Sequence, residues 1–192
     1  MSRKVVPILM IVAAGLIFSP RPSGADEVEE AVQEGLQLYK AGNYAEAAGS
    51  FEYAGSLTRQ KRGGELADFL PAATGGWTAD DLEQTSFGGI TSVQRAYNKD
   101  SASVTVSIMT DSPVVQGIAM MIQNPAMLGG EGRIIKVGSR KALLTFDDEN
   151  ASGELQLIVA GKHLVQISGS GITAEDLSAF AKAVNSDGLE KK

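Results

Sequence analysis

One histidine, His163, and no cysteine occur among the 192 residues, and those two counts remove most of the familiar catalytic and metal-binding constellations. Thiol nucleophiles, thiolate metal sites and thiol redox couples all need Cys. A zinc site built on paired imidazoles is equally excluded, and any nucleophile–base arrangement has to rest on His163 alone. His163 follows a Gly161-Lys162 turn and shares an alternating face with Val165 and Ile167, which predicts a side chain at the rim of the core. The densest carboxylates, Asp147-Asp148-Glu149-Asn150, fall between two strand-like stretches. They lack the alternating oxygen ligands and Gly turn of a calcium loop, so they read as a solvated hairpin loop. Asn150-Ala151-Ser152 in that loop is formally a glycan acceptor. Gly129-Gly130-Glu131-Gly132 and Gly169-Ser170-Gly171 fit neither dinucleotide nor P-loop spacing and read as turns. No cofactor is expected.

The most unusual group is apolar. Met109, Met120, Met121 and Met127 cluster with Val114, Val115, Ile118 and Ile122 around one helical stretch, residues 113–124, that has almost no polar face. Thioethers can bind Cu(I), fill gaps in a core, or line an adaptable contact groove. A helix apolar nearly all round is buried on two sides or exposes a contact surface. Val114, Ile118, Met120, Met121 and Met127 are the candidate binding residues on this reading.

Elements that would position these residues follow from period and punctuation. Residues 27–62 are rich in Ala, Glu, Gln and Leu, broken once at Ala41-Gly42-Asn43, and predict two helices joined by a short turn. Ala31, Gly35 and Leu38 would face Ala47, Phe51 and Ala54, with Tyr44 and Phe51 filling the seam. Gly35, Leu38, Gly42, Tyr44, Ala47, Phe51 and Ala54 together resemble a tetratricopeptide repeat, although Arg59 stands where that family carries a proline. The resemblance covers a single unit. A stack of such repeats needs about three to bury a continuous core, so a lone one must dock on the following domain or on another chain.

Glu65–Leu70 forms a further short apolar piece, and Pro71–Trp77 has linker composition. Beyond it the period changes to two. Ser103–Ile108 and Glu154–Val159 alternate cleanly, and 91–97, 132–137, 141–147, 163–168 and, less clearly, 78–86 are further strands. Gly138-Ser139 and Gly161-Lys162 suit two-residue hairpin turns with Gly first. Two helices interrupt the strands: one opening at Asp111-Ser112-Pro113, one at Thr173-Ala174-Glu175-Asp176, a near capping box. The expected class is α+β, an N-terminal helical hairpin followed by an antiparallel β-sheet covered on one face by two helices. At fold level this is similar to the compact domains of photosystem-associated extrinsic proteins, a likeness that carries no function.

Upstream, Arg3 and Lys4 precede an apolar run from Val5 to Phe18 and a small-residue tripeptide, Ser23-Gly24-Ala25. This order predicts a secretory signal, cleaved near Ala25 and too short to span a bilayer. The organisation expected is signal 1–25, helical hairpin 26–70, linker 71–77 and α+β domain 78–192. Three of the 17 basic residues, Arg3, Lys4 and Arg21, precede Ala25 and all 23 acidic ones follow it; the mature chain then carries −9. Such a surface repels polyphosphates, which argues against a nucleic-acid partner. The sequence points to a periplasmic or secreted non-enzymatic protein that binds a protein partner or a small apolar ligand around the Met-rich helix. An envelope enzyme using unpaired carboxylates and a Met-based copper or small-ligand carrier are the alternatives.

Overall fold

The computed structural model describes residues 26–130 and 132–192; the expected signal lies outside the described residues. The fold is α+β: a helical pair, then an eight-stranded antiparallel sheet with further helices. No helix among the described residues is long and apolar enough to cross a membrane.

Helix α1 (Asp26–Lys40) turns at Gly42, whose φ of +84° only glycine adopts without strain, into α2 (Tyr44–Ala67). The two pack through small residues: Ala31, Ala47 and Ala54 are buried, and the Phe51 ring occupies the space where a Cβ on Gly35 would stand. Tyr44 does not fill this seam. It is exposed and meets Tyr39 edge-on at 5.4 Å.

A single helix runs on through Gly63-Gly64 to Ala67, so the break expected after residue 62 is absent. Gly63 permits close packing, since a Cβ there would collide with the Gln84 side chain, which donates to the carbonyls of Arg59 and Gln60. Leu66, Phe69 and Leu70 then enter the same apolar cluster as the sheet. The Pro71–Trp77 segment continues that packing. The Pro71 carbonyl accepts from Tyr97 Oη at 2.6 Å, and Trp77 meets Phe180 at 5.2 Å. Composition suggested a linker here because Gly75 and Gly76 supply turns with positive φ, not because contacts lapse.

The strands are β1 (Thr78–Ala79), β2 (Glu83–Phe87), β3 (Ile90–Lys99), β4 (Ala102–Thr110), β5 (Arg133–Val137), β6 (Arg140–Asp147), β7 (Ser152–Val159) and β8 (His163–Ser170). Their order is β1-β3-β4-β8-β7-β6-β5, with β2 also paired to β3. Gly138 alone has positive φ in the β5–β6 turn, as Gly-first chemistry predicts. The β7–β8 turn is shifted by one residue. Ala160 and Gly161 both take positive φ and Lys162 N–H closes onto the Val159 carbonyl, so the central pair is Ala160-Gly161.

Two clusters divide the apolar residues by face. Val104, Val106, Ile108, Val165 and Ile167 point one way, toward α2 and α4 (Ala174–Ala183); α4 has the expected cap, Thr173 and Asp176 bonding reciprocally. Met109, Leu143, Ile158 and Leu164 point the other way, toward α3 (Val114–Gln123). The expectation that both inserted helices share one face is therefore corrected. The chain must travel from β4, inside the sheet, to β5 at the far edge, and α3 crosses over the strands between them. A last short helix, α5 (Ser186–Leu189), closes the first cluster through Leu189.

Candidate functional site

Alternation along β4 puts Thr110 on the same face as Ile108, and the ladder sets Thr91 opposite Thr110 and His163 on its other side. Ser86 of β2 pairs with Thr91 and extends the row. Four polar side chains thus cross four strands at one end of the sheet, on the face that α2 covers. Thr91 and Thr110 are fully buried and His163 is 3% exposed. Ser86 Oγ, Thr91 Oγ1 and both ring nitrogens of His163 have no hydrogen-bond partner. Burial holds the His163 pKa below its ordinary value, helped by Lys162 and Arg62 and opposed by Asp111. The ring is therefore a neutral imidazole at neutral pH. Arg62 of α2 reaches over the row, bonding Thr110 Oγ1 at 3.5 Å and pairing with Asp111.

The Met-rich region is divided rather than gathered. Ile118 is buried with Val115 and Ile122 on Leu143 and Leu164, and Met121 and Met109 pack beside them. Val114, Met120 and Met127 are 51%, 55% and 57% exposed. Ser112 starts the helix, its Oγ accepting from Val114 N–H, with Pro113 already in helical geometry. Met109 and Met121 thus join the packing under α3 while Met120 and Met127 face out, and no group of three His, Asp or Glu suited to a metal occurs among the described residues. The carboxylate run is a turn: Asp147 accepts from Glu149 and Asn150 backbone N–H and from Asn150 Nδ2 at 2.6 Å. Those bonds hold its pKa below the usual carboxylate range, led by the Asn150 side chain.

A further apolar surface lies on the helical hairpin, and it includes Tyr44 and Phe51, which were expected in the seam between the helices. Val32, Leu36 and Tyr39 recur at i, i+4 and i+7 on α1, and Tyr44 and Phe51 recur at i and i+7 on α2; all five are exposed. The Tyr39–Tyr44 and Gly35–Phe51 contacts join them into one patch. Its signal was present as α1's apolar stripe, which is wider than a single neighbouring helix can cover. The polar row had no comparable signal, because strand register, not spacing, aligns Ser86, Thr91, Thr110 and His163. Comparison with protein-family models, curated proteins and solved structures finds no match to this chain.

Proposed function

We propose that this is an exported interaction protein of the cell envelope, which seats an amphipathic helix of a protein partner against the apolar side of the α1–α2 hairpin. One observation carries the reading. Six of the eleven large hydrophobic residues left exposed among the described residues lie on these two helices, and five of them adjoin. Contiguous exposed apolar surface with rigid aromatic members is the usual anchor of a helix-in-groove contact. The resemblance to a repeat unit agrees, since a lone unit leaves open the side on which its next neighbour would stack. The exposed Val114, Met120 and Met127 side chains supply a second, smaller contact on the opposite side of the sheet.

The test is capture of partners from the extracytoplasmic fraction by the mature chain, comparing wild type with Leu36→Lys and Met120→Lys. Leu36→Lys should lose the partner while keeping its native circular dichroism, and Met120→Lys should weaken capture less. A folded Leu36→Lys protein that captures the same partner as wild type would show that the hairpin face is not the docking surface. Export is checked separately: intact mass should begin at Asp26, and a retained Met1 would contradict it.

A further inference from the structure

A cleft of about 360 Å³ lies between α2 and β2, lined by Ser56, Arg59, Gln60, Gln84 and Ser86. No carboxylate is among its lining residues. The Arg59 guanidinium folds back along the helix over Gly55, where a Cβ would stand 3.2 Å from Nη1. Gly55 thus gives Arg59 room to lie beside the cleft, and no ion pair joins it to a described acidic residue. The Gln84 amide is fixed by its two bonds to the Arg59 and Gln60 carbonyls. On the sheet side, Ser86 Oγ is buried without a partner, and so is Oγ1 of Thr91, which stands opposite Ser86 in the ladder and is itself fully buried. Buried hydroxyls in native proteins are almost always bonded, so these two demand an acceptor. An uncommitted cation beside unpaired hydroxyl donors, with no anion to repel a ligand, is the chemistry that holds a small oxyanion.

We infer that the α2–β2 cleft is a binding site for a small oxyanion, a carboxylate or phosphate group, held by Arg59 and the hydroxyls of Ser56 and Ser86, with Thr91 behind Ser86 in the sheet. The assignment is independent of the partner surface on the hairpin. It also runs against the acidic character of the chain as a whole: Arg59, Lys61 and Arg62 sit within four consecutive residues, and Arg62 is already committed to Asp111. That leaves Arg59 as the cation available to the cleft, with Lys61 as a nearby charge outside it.

The experiment titrates sodium phosphate and, separately, sodium acetate into the isotope-labelled protein at constant ionic strength set by chloride, following amide and arginine side-chain resonances. Saturable shifts at Ser56, Ser86 and Arg59 with either anion support the site, and the anion that saturates identifies which group it takes. Arg59→Gln should weaken the response at least tenfold, whereas Lys61→Gln should leave it within twofold. Non-saturating shifts with both anions, or equal loss in the two variants, would overturn the proposal by reducing it to general screening of a basic turn. Ser86→Ala provides a second reading: it should weaken binding severalfold without removing a charge, and an unchanged affinity counts against the hydroxyl contacts.

Discussion

At His163 an imidazole with two unpartnered nitrogens is held between Thr110 and Val159 at the end of the sheet. Its folded pKa is depressed, chiefly by burial. The unfolded chain therefore takes up the proton first, and stability that is complete above the ordinary histidine value of about 6.5 is lost as pH falls below it toward the folded value. We expect the urea midpoint of the wild type to drop more between pH 7.5 and 5.5 than that of His163→Gln; parallel midpoints would mean that the ring titrates freely. Tyr97 makes a second residue-level case. Its hydroxyl bonds the Pro71 carbonyl in the interior, and burial raises its pKa, so it stays a neutral donor. Tyr97→Phe strands that carbonyl, and denaturant unfolding should register a loss of about 1–3 kcal/mol. Sequence alone indicated the burial of His163, through its alternation with Val165 and Ile167. It gave no hint of the hydroxyl row beside it, because neighbours across strands are set by register.

Among the elements, α3 separates core from surface most sharply. Adjacent residues 120 and 121 differ by 100° around the helix, and that angle decides their environments: Met121 packs into the second cluster and Met120 faces out. Met121→Lys has to desolvate an unpaired charge and should cost roughly 2 kcal/mol or more, whereas Met120→Lys should stay within about 0.5 kcal/mol. Thermal melts of the two variants, scored against Ile118→Ala at about 2–5 kcal/mol, place each side chain; equal melts for the two lysine variants would refute the assignment. The strands were legible because alternation and turn residues are local signals, and α4 was legible because its capping box is written in four residues. Helix α2 was misjudged at Gly63-Gly64. Glycine there reads as a break, yet the missing Cβ serves the Gln84 contact and the helix continues across it.

For the whole molecule, the hairpin and the sheet share one core. Leu66, Phe69 and Leu70 lie with Val93, Tyr97 and Leu177, and Asn185 N–H bonds the Phe69 carbonyl. A fragment of residues 26–62 lacks those anchors, and two short helices held by alanines bury too little to offset their ordering entropy, so circular dichroism should find mostly coil. The complementary fragment, 78–192, exposes the face from which α2 and Trp77 have been removed, and should lose cooperative unfolding or aggregate. A sharp monomeric melt of either fragment would show two independent domains instead. Composition and short-range pattern suffice for the α+β class, the antiparallel strands, most helix limits and the lack of cysteine and of a second histidine, since each depends on residue types or on neighbours a few residues apart. Which face α3 covers, which methionines are exposed, the entry of α2 into the sheet's core and the row of Ser86, Thr91, Thr110 and His163 emerge only in the folded chain. These depend on strand order and register, which bring together residues far apart in the chain and are encoded in no local pattern.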